Sequence, residues 1–161
     1  MTEYSTAEMD RNTKSLTTVV LILLLLFPIS SLFFEPPKLY ISIISFVLLY
    51  GVIFISYGLI PKRIAVSDDQ ILIKNLFGSI LININQIDSI SEVDNRSLNL
   101  RAFGVGGLFG YFGYFNSGEV WYVTNVKQKV RIVLQSGKTY MISPTHARDF
   151  VNEVQKQKAR F

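Results

Sequence analysis

The chain has 161 residues, a mean hydropathy of +0.32, a formal net charge of +4 at pH 7 and no cysteine. The lack of cysteine excludes disulfides, thiolate metal sites and cysteine nucleophiles. About a hundred residues remain beyond the two long apolar segments, which is enough for one small domain with its own core and too few for two.

Residues 1–15 are polar and contain charges of both signs. A stretch of this composition buries no apolar surface by itself, and chain ends without such burial are commonly poorly ordered. The sequence therefore predicts a short, loosely ordered N-terminal tail.

Two apolar runs, residues 16–34 and 39–60, follow this tail, and neither contains a charged side chain. Crossing a hydrocarbon core of about 30 Å takes roughly 20 apolar residues in a helix. The runs therefore predict two membrane spans, joined through Glu35-Pro36-Pro37-Lys38 into a helical hairpin over residues 16–60. A cleaved signal peptide is the alternative for the first run, but the leader is acidic and no Ala-x-Ala site follows.

Positive charge flanks the predicted hairpin on one side. Arg11 and Lys14 precede the first run, and Lys62 and Arg63 follow the second, whereas the connecting loop has only Lys38. By the positive-inside rule, both termini and all residues after the hairpin face the cytoplasm. The predicted location is the cell (inner) membrane, with two passes.

Gly51 and Gly58 lie seven residues apart in the second run, about two helical turns, and so share one stripe of that helix. Small residues let a neighbouring backbone approach closely. We expect the first span to pack against this stripe, and a homo-oligomer seam is the alternative.

The residues after the hairpin change to an alternation of apolar and polar side chains, which is typical of β-strands. Ser136-Gly137 is in addition a two-residue hairpin signal. Seven strands are predicted, at residues 63–66, 70–74, 80–85, 87–93, 119–124, 129–134 and 139–142.

A closing helix is predicted after the last strand. Ser143 fits its N-cap and Pro144 its first helical position. The apolar face of this helix consists of Ala147, Phe150, Val151 and Val154. Seven antiparallel strands grouped four plus three would form two roughly orthogonal sheets capped by this helix, a mainly β domain over residues 61–161.

Residues 101–115 are mostly glycine and aromatic, without a regular period. They contain neither GxGxxG nor a GK[ST] ending, so a nucleotide site is not predicted. In one hypothesis the glycines form a tight loop while Phe103, Leu108, Phe109 and Phe112 plug the end of the sandwich. In the other, exposed aromatic side chains contact the membrane interface or a partner.

Several residues also resemble those of a known family. Arg101 precedes a glycine and aromatic series, Tyr122-x-Thr124 follows it, and Ser143-Pro144 precedes a helix with Phe150. The series consists of Gly104, Gly106-Gly107, Phe109-Gly110-Tyr111 and Gly113. In these residues the chain resembles bacterial PH-like (pleckstrin homology) proteins that carry a two-helix transmembrane anchor ahead of the domain. The resemblance implies a PH-like fold and a membrane location, and it assigns no ligand or binding residue.

No catalytic constellation is predicted. Ser143, His146 and Asp149 lie three residues apart, but Ser143 is better used as a helix cap and no separate oxyanion site accompanies it. A single histidine without cysteine predicts no metal site. Nothing in the sequence indicates a cofactor.

The sequence instead predicts a noncatalytic binding or scaffolding module at the inner leaflet. From residue 61 onward there are 13 of the 16 Lys and Arg against 8 of the 12 Asp and Glu, a balance that suits anionic lipid headgroups. The predicted partners are the lipid bilayer and either such headgroups or another membrane protein. Residues 127–131 form a basic run typical of a solvated strand face, so nucleic acid is not predicted.

Two other classes of function remain. One is a structural or assembly subunit of a membrane complex that oligomerises through its membrane helices, and the other is a membrane enzyme whose site the sequence does not reveal. The candidate contact residues for lipid or a partner are Arg101, Phe109, Tyr111, Tyr114, Lys129 and Arg131.

Overall fold

The computed structural model describes residues 1–30, 33, 39–93, 101–116 and 118–161, without the side chains of Pro28 and residues 101–105. The predicted connecting loop, residues 35–38, lies outside this set. Ten strands and three α-helices are present within it. In chain order they are β1 (Thr2–Tyr4), α1 (Arg11–Ser30), α2 (Leu39–Gly58), β2 (Arg63–Val66), β3 (Gln70–Lys74), β4 (Ser79–Asn83), β5 (Ile87–Val93), β6 (Arg101–Gly106), β7 (Tyr111–Phe115), β8 (Glu119–Val123), β9 (Lys129–Leu134), β10 (Thr139–Ile142) and α3 (Ala147–Lys158).

The strands form two sheets. The small sheet has the order β1-β2-β3-β4 and the large sheet the order β5-β9-β10-β8-β7-β6. Strands β10 and β8 are parallel, with Met141 opposite Trp121, and the other pairs are antiparallel. The prediction of seven antiparallel strands is therefore corrected, because three further strands form and β10 inserts between β9 and β8.

The alternating pattern predicted the central strands well. Strands β2, β3, β5, β9 and β10 have the predicted bounds. Their inward-facing side chains form one core between the sheets, which α3 closes. This core includes Ile64, Ile71, Ile73, Ile82, Ile132, Ile142, Phe150 and Val154. The predicted apolar face of α3 is confirmed, since all four of its residues are buried.

The start of α3 differs from the prediction. The helix begins at Ala147 after His146, and Ser143 does not cap it. The Ser143 hydroxyl instead accepts a hydrogen bond from the Thr124 N–H at 2.9 Å, at the end of β8. The helix starts later because Ser143 and Pro144 still belong to the strand region, where Pro144 bridges to Thr6.

The N-terminal residues are ordered into the domain, which corrects the expected loose tail. Thr2, Glu3 and Tyr4 pair with the outer edge of β2. The Tyr4 ring meets the Phe150 ring edge-on, with centroids 5.2 Å apart. The segment then continues along the domain, where the Ala7 N–H donates to the Ser143 carbonyl at 2.8 Å. The folded unit therefore includes residues that precede both N-terminal helices.

Of the helices in the described part of the chain, α2 is long and apolar enough to cross a membrane. Helix α1 starts with a polar turn, and its apolar part begins at Leu16. The prediction of two membrane spans is therefore supported for α2 alone, and residues 31 and 32, which directly follow α1, lie outside the described set.

The glycine stripe of α2 does not pack as expected. A Cβ atom at Gly58 would meet the Phe77 ring, and no atom of the described residues lies within 4 Å of a Cβ at Gly51. The close approach at Gly58 is therefore made by the turn between β3 and β4. Helix α1 nevertheless contacts α2 elsewhere, as expected for two neighbouring helices.

Candidate contact surfaces

Residues 101–115 form a β-hairpin, made of β6, a tight turn and β7, with Gly104 opposite Gly113. Gly107 and Gly110 have positive φ in the turn, and a Cβ at Gly110 would lie 2.6 Å from the Val123 carbonyl oxygen. The glycines therefore let the turn lie against β8. The expected irregular loop is corrected to a hairpin.

The side chains of the hairpin divide between the two hypotheses. Phe112 and Leu108 are buried, as the core-plug hypothesis expects, while Phe109 is half-buried and Tyr114 is exposed. Arg101 starts β6 opposite Phe115. The side chains of Arg101 and Phe103 lie outside the described set.

The turn of this hairpin holds α1. The Thr17 hydroxyl donates to the Gly107 carbonyl and accepts from the Phe109 N–H, both at 3.0 Å. Leu16 covers Gly107 so closely that a Cβ there would collide with it. The Phe109 ring meets the Tyr57 ring of α2 edge-on at 5.8 Å. We call this side of the domain, where α1 begins and α2 ends, the helix end.

The turn between β3 and β4 also lies at the helix end. The Leu76 N–H donates to the Gly58 carbonyl at 3.0 Å, which satisfies an acceptor at the C-terminus of α2. The Phe77 ring meets the Phe54 ring of α2 edge-on at 6.0 Å. Two hairpin turns therefore fix the last turn of α2 to the sheets.

Basic side chains surround the helix end. The Lys62 ammonium lies 3.9 Å from the centre of the Tyr57 ring, and Lys14 pairs with Glu8 at 3.1 Å. Arg11 in the first turn of α1 and Lys127 in the turn after β8 are exposed. The candidate contact residues did not include these cations, although Arg11, Lys14 and Lys62 could have been found from their position beside the apolar runs.

Asp10 joins α1 to the turn after β8. Its carboxylate accepts hydrogen bonds from the N–H groups of Asn12 and Thr13, from the Thr13 hydroxyl and from the Val126 N–H. Burial opposes ionisation of Asp10, but these hydrogen bonds outweigh it and lower the pKa of the carboxyl group. The negative charge caps the helix N-terminus, where it is stabilised by the helix dipole.

Tyr111 and Lys129 lie on the outer face of the large sheet, around Trp121. Trp121 stacks on Phe115 with centroids 4.9 Å apart, and Tyr111 meets both rings edge-on. The Lys129 ammonium lies 5.0 Å from the centre of the Trp121 ring, and its side chain is only 1% exposed. Lys129 therefore does not present its charge at the surface.

Arg131 lies on the same outer face and is exposed. Its guanidinium pairs with the Glu119 carboxylate at 3.0 Å, and Glu119 also accepts from the Trp121 indole N–H at 3.0 Å. A polar depression of about 230 Å³ adjoins this pair. Its lining consists of Asn116, Gly118, Glu119, Arg131, Gly137 and Thr139. We call this side, opposite the helix end, the far end.

Tyr114 lies on the inner face of the large sheet and is 51% exposed. Burial, reinforced by Tyr140 and Tyr114, raises the pKa of Tyr122. A hydrogen bond with Tyr140 raises the pKa of Lys138, whose ammonium lies 4.9 Å from that ring. Tyr122, Tyr140 and Lys138 of this cluster were not among the predicted contact residues. Tyr122 lies near Tyr114 through the register of the β7–β8 hairpin, in which Tyr114 is opposite Val120, and the sequence did not predict β7.

The five candidate residues whose side chains are described therefore lie at different places on the domain, and the side chain of the sixth, Arg101, is outside the described set. Phe109 is at the helix end, Tyr111 and Lys129 surround Trp121, Arg131 faces the far-end depression, and Tyr114 is on the opposite face of the sheet. Across the described ranges, no group of three His, Asp or Glu side chains could hold a metal ion.

Comparison with known proteins identifies the domain. A family model described as a bacterial PH domain matches residues 62–158, which is more than half of the chain. No curated protein and no solved structure matches the chain significantly. Two sheets closed by a C-terminal helix are consistent with a PH fold, a fold that is usually noncatalytic. The chain therefore belongs to the bacterial PH domain family.

Proposed function

We propose that this protein is a membrane-anchored, noncatalytic PH-like binding or scaffolding module at the inner leaflet. Residues 16–34 and 39–60 cross the membrane as a hairpin, and both termini and the β domain lie in the cytoplasm. The domain is thereby held at the membrane surface, where it presents its far end to a partner.

The pairing of β1 with β2 is the observation that carries this proposal. Strand β1 precedes α1 and β2 follows α2, yet Thr2 lies opposite Val66 in one sheet. The chain must therefore leave and return on the same side of any membrane it enters. If α2 crosses, a second crossing is needed before it, and residues 16–34 are the apolar segment that can supply one.

The distribution of charge supports the cytoplasmic side. Arg11, Lys14 and Lys62 all lie at the helix end, where the predicted spans meet the domain. Cations beside membrane spans favour the cytoplasmic face. They also suit the anionic headgroups of that leaflet, at about 1 kcal/mol for each nearby cation.

We expect labels attached near Met1 and Phe161 to be protected from a membrane-impermeant reagent in intact cells. A label inserted between Pro36 and Pro37 should react, because that loop is outside in the proposed topology. Permeabilised cells provide the control, since all three labels should react there. Reaction of the Phe161 label in intact cells would contradict the proposed orientation.

The far end offers the surface for a cytoplasmic partner. Arg131 and Glu119 present both charge signs beside the polar depression, and Tyr114 exposes an aromatic ring on the other face. Arginine and tyrosine are among the residues enriched at protein interfaces. Lys129 is less suited to this contact because its charge is buried over Trp121.

A second candidate function is a structural or assembly subunit that oligomerises through its membrane helices. It is favoured by Gly51, where no atom of the described chain lies within 4 Å of a Cβ position. A helix from another chain could approach there closely.

Purification in native lipid particles separates the two functions. If the far end binds a partner, a protein other than this chain should co-purify, and Arg131→Glu or Tyr114→Ala should reduce its yield several-fold. Lys156→Glu on α3 serves as the charge-reversal control and should retain it. If the helices assemble a complex, Gly51→Leu should disrupt that complex while the far-end variants leave it intact. A particle unchanged by all of these variants would contradict both functions.

A further inference from the structure

The turn between β3 and β4 exposes two large apolar side chains. Leu76 is 55% exposed and Phe77 is 52% exposed. The same Leu-Phe-Gly tripeptide recurs at 108–110 in the turn between β6 and β7, but there the leucine is buried. Burial in the domain therefore explains the apolar residues of the second tripeptide. Within the described chain it does not explain the exposed Leu76 and Phe77 of the first.

We propose that Leu76 and Phe77 enter the boundary between headgroups and acyl chains in the leaflet where α2 ends, so that the PH-like domain contacts lipid directly through this turn. The inference rests on the proposed function, in which α2 spans the membrane. It adds a fixed lipid-contacting surface on the β domain, in addition to the helical anchor.

The contacts of the turn place it beside the last turn of α2. Leu76 is hydrogen-bonded to Gly58, and the Phe77 ring packs on Phe54. Phe54 lies one helical turn before Gly58, about 5.4 Å nearer to the middle of the helix. In a membrane that α2 spans, the Phe77 ring therefore lies at the same depth as the last turns of α2.

The surface of the turn continues the apolar surface of the helix. Phe54, whose ring contacts Phe77, is exposed on α2, and so are Ile55 and Tyr57 in the same final part of the helix. An apolar surface of this kind, continuous with a membrane span, fits lipid as its partner.

The backbone N–H groups of the turn are all hydrogen-bonded within the protein, as an environment without water requires. An unpaired N–H group would be costly there. The Asn75 N–H donates to the Gly78 carbonyl at 2.9 Å, and the Leu76 N–H to Gly58. The Asn75 side-chain oxygen accepts from the N–H groups of Phe77 and Gly78 at 3.0 and 2.9 Å. All four N–H groups of the turn thus have partners within the protein.

Positive charge borders the turn on the side of the sheet. Arg63, which pairs with Glu3, lies opposite Lys74 in β2 and β3, and Arg63, Lys74 and Lys62 are all exposed. Apolar residues at the tip with cations behind them match the order of acyl chains and anionic headgroups in a leaflet.

The absence of cysteine allows the depth to be measured with single labels. Leu76→Cys, Val47→Cys in α2 and Ser136→Cys at the far end would each carry an environment-sensitive fluorophore. The full chain would be reconstituted in vesicles of phosphatidylcholine and phosphatidylglycerol. Quenching would be measured with spin-labelled lipids and with aqueous iodide, and the emission of Trp121 would verify that each variant is folded.

We expect the label at position 76 to be quenched by lipids spin-labelled near the headgroup, and several-fold less by iodide than the label at position 136. The label at position 47 should be quenched by lipids that are spin-labelled deep in the acyl chain. Suppose that deep spin-labelled lipids quench the label at position 47, but iodide quenches the label at position 76 as strongly as the label at position 136. The lipid contact of the turn would then be overturned, while the membrane span of α2 would be supported. Shielding of position 76 from both quenchers would overturn it in favour of a protein contact. Exposure of position 47 to iodide would overturn the anchor itself.

Discussion

Phe150→Ala is expected to lower the free energy of unfolding by about 3–5 kcal/mol, the usual cost of removing a buried phenylalanine ring. The Phe150 side chain is fully buried in the core between the sheets. It also contacts Tyr4 of β1. Its loss would leave a cavity at the point where α3, the small sheet and the N-terminal strand meet.

The measurement is denaturant unfolding of the full chain in detergent micelles, followed by the fluorescence of Trp121. This is the only tryptophan in the sequence, and it is buried in the β domain. Phe161→Ala makes the same chemical change at an exposed residue and should alter stability by less than about 0.5 kcal/mol. Equal stability of the Phe150 and Phe161 variants would mean that α3 does not close the core.

Deletion of residues 2–7 is expected to lower the free energy of unfolding by about 2–4 kcal/mol. This value is the loss of hydrogen bonds and apolar contacts, reduced by the conformational entropy that the folded chain no longer gives up in ordering this segment. The deletion removes the pairing of β1 with β2. It also removes the Tyr4 ring, which packs against the Phe150 ring. It also leaves the buried Thr124 hydroxyl without the Ala7 carbonyl that accepts its hydrogen bond.

Glu3→Ala is the matched control for this deletion. It removes the ion pair between Glu3 and Arg63 while the strand remains. Exposed ion pairs contribute about 0–1 kcal/mol, so this variant should remain close to the wild type. A deletion as stable as the control would show that the N-terminal strand adds nothing to the domain.

The parts of the fold that the sequence predicted are those where side chains alternate against a core. Ile71 and Ile73 face inward from β3, and Ile132 does so from β9, so a period of two located these strands. The apolar face of α3 was predicted for the same reason, since Phe150, Val151 and Val154 recur at helical spacing. In both cases burial itself produces the sequence pattern.

The features that the sequence did not predict depend on long-range hydrogen bonds instead. Strand β1 is three residues long and mostly exposed, so it is recognisable only by its partner β2. The use of Ser143 at the end of β8 similarly requires Thr124, which is distant in the chain. Local capping signals compete with such contacts, and here the tertiary contact prevailed.

The candidate surfaces were harder to predict because exposure cannot be read from residue type. Lysine is usually a surface residue, yet the position of Lys129 in β9 brings its ammonium group over the Trp121 ring. The two Leu-Phe-Gly tripeptides are identical in sequence and differ in burial, because only the turn at 108–110 is covered by the start of α1.

The position of β1 ahead of α1 sets the order of events during biosynthesis. The ribosome releases Thr2 long before Val66, its partner in the sheet. At ordinary translation speeds the interval is on the order of ten seconds. During that interval Thr2, Glu3 and Tyr4 lack the strand with which they pair in the folded protein. Strand β1 can therefore join the small sheet only after β2, which is synthesised after both N-terminal helices.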